Sequence, residues 1–486
     1  MASVVEAPRN APASHLHPTG IAGDGRPSAR SIPGIARFQD WHPDGTSVLT
    51  LVLALTFFIP NQLTIPALGG LGRPELLLSI ALFGWWGITK LVPSMTVRGN
   101  QPIRWLLALY FCSFAVSYVA GHARGLTPAE ASSADRFFIF LLGATAIALV
   151  VADGVPPRAR LDTLLSRITY FGAYLGITGS LQFLFNFDIT DKLNIPFLAL
   201  NNELFGIQSR STLNRVSGTS THPIEYGAVL AMCLMIAIHF IVTSTDRKDL
   251  QRRVMVAGLI ALPGAFSVSR TNAASVVIGL LVLAVVWNAR HRFYAFLAGC
   301  AGVAALQVVA PGLLATIRAL FLYAGEDPSI SGRRRDYDQA FVFIGERPIL
   351  GRGSGTFIPD EYFILDNQWL GELITKGYVG LFVLGLMFVV PIMMTRIMRK
   401  SVRAYTTLHL TQTVFAVMAI AAFASVTFDS FFYVQFRMLW FVMMGVAGTL
   451  WRLHKTDQLE DLTDVSPEEL AFVDQKLHRK PAGSAA

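Results

Sequence analysis

Long apolar runs broken by short polar segments fill the chain from about residue 46 to residue 452. Most runs come near the roughly 20 apolar residues that one helix needs to cross a bilayer. The pattern predicts spans near Thr46–Leu68, Glu75–Leu91, Ile103–Ala120, Phe137–Val151 and Thr163–Phe185. Four more are expected near Pro223–Val242, Val254–Phe266, Ala273–Trp287 and Phe293–Val309. The last three fall near Gly377–Met394, Leu408–Phe428 and Phe431–Trp451. The expected fold class is an all-α polytopic membrane protein of about 12 transmembrane helices. Two long polar stretches, residues 186–222 and 311–376, interrupt the pattern and read as loops of this membrane domain, 46–452.

The ends read differently. Residues 1–45 are rich in Pro, Gly, Ala and Arg, with no apolar stretch, which predicts a disordered tail rather than a signal peptide. Residues 453–486 form a second tail. In it Ser466, Pro467 and Glu469 carry the N-cap, first-position and reach-back pattern of a capping box, so a short helix is expected.

Basic residues orient the spans. Lys90, Arg98 and Arg104 share one set of loops with Arg158, Arg160 and Arg167, with Arg247, Lys248, Arg252 and Arg253, with Arg290 and Arg292, and with Arg396, Arg399, Lys400 and Arg403. The alternate short loops, such as 69–74 and 429–430, carry few. An excess of Lys and Arg marks cytoplasmic loops, so both termini are expected in the cytoplasm and both long loops outside an inner (plasma) membrane.

Composition agrees and narrows the choice. Of 486 residues, 53% are hydrophobic and only 15% charged, against about 25% charged in soluble domains. The net charge is +8, but it lies in short loops and offers no basic face for nucleic acid. Cys112, Cys233 and Cys300 lie inside apolar runs and read as small buried hydrophobes. No zinc-type spacing, Ser-His-Asp arrangement or dinucleotide fingerprint is visible, so neither metal nor cofactor is expected.

The candidate chemistry lies in the outward loops, above all in the Arg-rich segment Ser331–Leu381. Arg215, Arg270 and Arg333 face outward against the topology bias. A guanidinium binds phosphate oxygens through paired, charge-assisted hydrogen bonds, so converging arginines could hold a lipid-linked diphosphate. They could also snorkel to headgroups or pair with carboxylates. Arg334 and Arg335 read as a solvated face. Arg352, a further candidate contact for the diphosphate or glycan, sits in a Gly-rich run, 351–355, that lacks the Lys-Ser/Thr of a P-loop and reads as a flexible turn. Asp336 and Asp338 read as the polar start of a short helix. Asp366 and Asn367 stand at the outer mouth of a span. Asp366 could take a proton from a sugar hydroxyl, and either residue could cap the helix that follows. Glu372 is a weaker base candidate. His222 and Glu225 flank Pro223 at the start of another span, and His222 is a further candidate contact.

Taken in order, these patches resemble the O-antigen ligase and polysaccharide polymerase superfamily. The likeness rests on Arg215 to Thr219 followed by His222 to Gly227, on Ser267 to Thr271, and on Ser331 to Arg333 with Tyr337 and Ala340. It continues through Glu346 to Phe357, Asp366 to Leu370, and Gly377 to Gly380. The resemblance implies a metal-independent, inverting glycosyltransferase with a GT-C-like membrane fold and a donor glycan on undecaprenyl pyrophosphate. By position, Arg215, Arg270 and Arg333 would bind the diphosphate. Ligases of this kind typically carry His where this chain has Asp366, which moves the expectation toward a polymerase or a transferase to another acceptor. Implied partners are the lipid-linked donor, a glycan acceptor and membrane lipids, with a chain-length regulator as a further candidate. A flippase or exporter of lipid-linked glycans, or a peptidoglycan polymerase of the shape-and-division type, are the alternatives.

Overall fold

The computed structural model describes residues 44–92, 99–155, 157–201, 208–210, 213–323, 328–359, 361–460 and 465–477. The side chains of 208–210, 213–214 and 328–334 are outside the description, as is most of the expected N-terminal tail. The described residues form α1 (Gly45–Phe58), α2 (Pro74–Leu91), α3 (Ile103–Arg124), α4 (Pro128–Gly154), α5 (Arg158–Phe185), α6 (Pro223–Val242), α7 (Arg247–Gly264) and α8 (Arg270–Ala284). There follow α9 (Ala289–Val309), α10 (Leu313–Leu322), α11 (Pro328–Glu346), α12 (Gln368–Met398), α13 (Tyr405–Thr427), α14 (Val434–Lys455) and α15 (Pro467–Lys476). Among them eight helices are long and apolar enough to cross a membrane: α2 with the turn before it, α3, α4, α6, α9, α12, α13 and α14. The helices α1, α8 and α10 are apolar but shorter.

Helix starts follow capping chemistry. Asp44 caps α1, Asp246 caps α7, Asn288 caps α9, and Thr127 with Glu130 completes a capping box on α4. Three expected boundaries shift for that reason. The helices α4, α7 and α9 begin at their caps, inside polar sequence, rather than at Phe137, Val254 and Phe293. The first expected span, Thr46–Leu68, is interrupted. Pro60 follows the end of α1, and residues 63–64 (β1) pair antiparallel with 199–200 (β2). Helix α11 begins at Pro328, well before Asp336.

The basic loop residues gather at one end of the bundle. There Lys90 and Arg104 both pair with the buried Asp153 (2.8 and 2.7 Å), and Arg160 pairs with Asp44. Arg452 of α14 donates to the carbonyls of Ala152 and Val155, capping the C-terminal end of α4. Helix α15 docks here too. Ser466 Oγ accepts from Glu469 N as expected, but the Glu469 carboxylate does not reach back; it accepts from Tyr405 N at the start of α13 (2.7 Å).

Helix α14 is buried along nearly its whole length, with Trp440 stacked on Phe388 of α12 (centroids 4.5 Å apart). Cys233 is buried, but Cys112 and Cys300 are exposed. Apolar character in a membrane helix suits lipid as well as protein, so it does not predict which one a side chain meets.

Helix α12 is broken. Gly377 has φ 64° and ψ −163°, so the expected start of a span is in fact a kink inside a helix that begins nine residues earlier. The Gly-rich run fills the break. Arg352 N donates to Ile374 O, Gly353 N to Thr375 O and Tyr378 N to Pro348 O (2.8–3.0 Å). Gly351, Gly353 and Gly355 all have positive φ. A Cβ at Gly351 would lie 2.3 Å from the Thr375 backbone. The run is therefore a backbone-to-backbone packing device and not a flexible turn. Substituting Gly377→Ala should cost more than about 1 kcal/mol, because φ is wrong for Ala and the new Cβ would meet Ile349 O at 2.3 Å. Thermal unfolding in detergent measures it, and an unchanged midpoint would show that the break tolerates a side chain.

Candidate functional site

The end of the bundle opposite the basic loops carries the candidate residues, and three connections bring them together. The hairpin of residues 208–210 (β3) and 213–215 (β4) ends on Arg215, which is buried, and its Nε donates to the Ser267 carbonyl (3.2 Å). Ser267 closes a single 3-10 turn after α7. Val268 follows with φ 46°, a left-handed conformation that a β-branched residue rarely adopts. Such backbone is stored where the surroundings enforce it, frequently at functional sites. Arg270 then opens α8, and its Nη1 donates to Leu320 O (3.1 Å). Arg215 and Arg270 therefore flank one strained turn.

The second connection joins that turn to the α13–α14 corner. Thr271 and Thr427 hydroxyls hydrogen-bond at 2.9 Å. The third joins the corner to the start of α12. Gln368 N donates to Phe428 O (3.3 Å), and Gln368 Oε1 accepts from Phe431 N (2.9 Å). Immediately before Gln368, Asn367 is the N-cap of α12. Its Oδ1 accepts from Trp369 N and Leu370 N, and its Nδ2 donates to Tyr337 OH of α11 (3.0 Å). Of the two capping candidates Asn367 fills the role, and Asp366 beside it is half-buried.

His222 caps α6. Its Nδ1 accepts from Ile224 N (3.1 Å), and its ring lies 5.8 Å from that of Tyr433. Burial, reinforced by the Arg215 charge, lowers its pKa to about 4, so it is neutral across ordinary pH. Tyr433, just before α14, is held protonated by burial, with the charges of Asp366, Glu225 and Asp429 acting in the same sense and Arg215 opposing them. Those influences place Arg215, His222, Asp366 and Asp429 around one phenol. Glu225, fully buried, accepts from Thr221 N, Gln435 N and Phe436 N and so ties the Arg215–His222 loop to α14.

Arg352, Glu372 and Arg333 complete the expected site residues. Arg352 pairs with Glu346 (3.0 Å), donates to Tyr362 OH and stacks over Phe343, which makes it a clasp of the large loop. Glu372 is buried and ion-paired with Lys376 (2.6 Å), while Lys376 also donates to Tyr110 OH. It is not open to a substrate. Arg333 lies on α11, with its side chain outside the described residues, as is that of Arg334; Arg335 is exposed.

The residue that sequence reasoning passed over is Asp429. It is exposed at the surface of the corner, although much of the protein lies close around it. Burial raises its pKa to about 6. The Glu372 charge adds to the rise, while the N–H groups of Phe431 and Phe432 and the Arg437 charge oppose it. A cavity of about 310 Å³ between Arg158, His239, Thr407 and Glu460 lies at the basic end, away from this cluster. No group of three or more His, Cys, Asp or Glu side chains among the described residues could hold a metal ion.

The chain has no match among curated proteins. A family model described as O-antigen ligase matches residues 254–385, from within α7 to the middle of α12. This segment contains Arg270, Arg333, Arg352, Asp366, Asn367 and Glu372 and ends on the broken helix. Over this segment, about a quarter of the chain, the protein is similar to the O-antigen ligase family.

Proposed function

We propose that this multi-pass membrane protein is an extracytoplasmic, metal-independent, inverting glycosyltransferase, a polysaccharide polymerase or ligase. It moves a glycan from undecaprenyl pyrophosphate to a sugar hydroxyl. In this reading twelve helices cross the inner membrane (α1 to α9 and α12 to α14), both termini are cytoplasmic, and the Arg215–Arg270 end faces outward. The observation that carries it is the hydrogen bond from Arg215 to the Ser267 carbonyl, which draws two guanidinium groups from separate segments to one turn.

The diphosphate docks against Arg215 and Arg270, with Arg333 approaching from α11. The acceptor hydroxyl gives its proton to Asp366 as its oxygen attacks the anomeric carbon. The bond from that carbon to the phosphate oxygen breaks, and lipid diphosphate leaves. Fixed positive charge beside the departing oxygens matches the charge that builds there and needs no reorganisation at the moment of reaction. Asp366 in the place of the family's His favours a polymerase, or a transferase to an acceptor other than lipid A core.

One observation favours an exporter instead: a helix broken at Gly377 beside a buried Lys376–Glu372 pair, an arrangement found in transporters. Purified protein in detergent, given lipid-linked repeat units, separates the two. A transferase lengthens the glycan and releases lipid diphosphate; an unchanged glycan, with a chain-length regulator also supplied, would sink the transferase reading.

A further inference from the structure

The α13–α14 corner, Asp429 to Tyr433 with Thr427 before it, touches three separate parts of the site. Thr427 leads to Arg270, Gln368 leads to Asp366, and Tyr433 leads to His222 and Arg215. Two of its five side chains are exposed, Asp429 and Phe432, while Ser430, Phe431 and Tyr433 are buried. The exposed pair is held firmly. Ser430 Oγ hydrogen-bonds Ser425 (2.9 Å), and the Phe431 carbonyl accepts from the buried Arg437. The Phe432 ring packs edge-on against Tyr433 (5.3 Å). An exposed carboxylate and an exposed aromatic ring, three residues apart on a turn fixed by buried neighbours, offer what a sugar needs. The oxygens accept from hydroxyl groups, and the ring covers the C–H face.

We propose that this corner is the acceptor-sugar subsite, with Asp429 accepting hydrogen bonds from hydroxyls of the incoming glycan and Phe432 packing against its ring. The inference rests on the transferase reading for the word acceptor, but the sugar contact stands by itself. Asp429 also accepts from backbone N–H groups of its own turn. An asparagine keeps an acceptor oxygen there, so Asp429→Asn separates turn capping from sugar binding. Behind the corner, Glu372 of α12, itself paired with Lys376, and Tyr110 of α3 face Asp429, with Arg437 and Tyr433 on α14 and its approach. The carboxyl titrates at about 6, so sugar binding should weaken as pH falls through that value and the acceptor is protonated.

The test is saturation-transfer NMR on the full-length protein in lipid nanodiscs, with the delipidated envelope glycan of the strain that carries the gene as probe. Wild type should bind it. Asp429→Asn and Phe432→Ala should each bind about tenfold more weakly or worse, with thermal midpoints near wild type. Binding in both variants equal to wild type, or no binding by wild type, overturns the proposal. Failure of the transferase reading looks different: the glycan binds, Asp429→Asn weakens it, and no lipid-linked donor is consumed.

Discussion

Replacing Arg270 with Ala is expected to lower transfer from the lipid-linked donor by about a hundredfold or more. The reason is geometric. Arg270 is the first residue of α8, its Nη1 is fixed on Leu320 O, and the turn before it carries a left-handed Val268 tied to Arg215. A guanidinium placed so rigidly can meet charge as it develops on a leaving diphosphate. Arg270→Lys keeps the charge but loses the planar fork, so it should recover only part of the rate. Turnover of defined lipid-linked repeat in detergent is the readout. The thermal midpoint serves as control, because the Leu320 contact is also lost. Wild-type turnover in a stable Arg270→Ala protein would remove this side chain from the reaction. Arg215→Ala should behave similarly, with a larger loss of stability, since Arg215 is buried and bonded to a neighbouring segment.

The second large effect is structural. Lys376→Met should destabilise the folded protein by about 3–5 kcal/mol, because it leaves the Glu372 carboxylate buried without its cation. Both side chains of the pair are only 1% exposed. Removing both, as Glu372→Met with Lys376→Met, should restore most of the loss, because two buried charges then need no solvation. Fluorescence-detected thermal unfolding in detergent measures all three proteins. A single variant as stable as wild type would mean that water reaches the pair. The half-helix carrying this pair begins at Asn367 and fixes Asp366, so the single variant should lose transfer activity as well.

Much of this architecture is legible in the chain because bilayer chemistry is strict about apolar length. Pro223–Val242 has the same bounds in pattern and in structure, since His222 and Pro223 supply an explicit start. Helix α4 starts nine residues before Phe137, where the apolar pattern begins; Glu130, Asp135 and Arg136 look like loop, while the Thr127–Glu130 capping box marks the true start. Glu372 and Lys376 stand four residues apart, the spacing of a helical ion pair, so the sequence already offered a partner other than substrate. Arg352 is different. Its partners Glu346 and Tyr362 meet it only after the loop folds back onto itself, and no local rule reports that. Asp429 occupies a corner of a few residues whose meaning comes entirely from three distant segments. Hydrophobic pattern locates such a corner but gives no account of what surrounds it.

Helix α9 has no buried residue. In the proposed membrane orientation its neighbours are acyl chains, and a helix so placed adjusts its tilt when the bilayer thickness changes. Only residues 310–312 separate it from α10, which supplies the Leu320 carbonyl that grips Arg270. In that orientation one fastening of Arg270 adjoins a helix that faces lipid along most of its length. The lipid composition of the host membrane enters the alignment of this guanidinium much as a protein neighbour would.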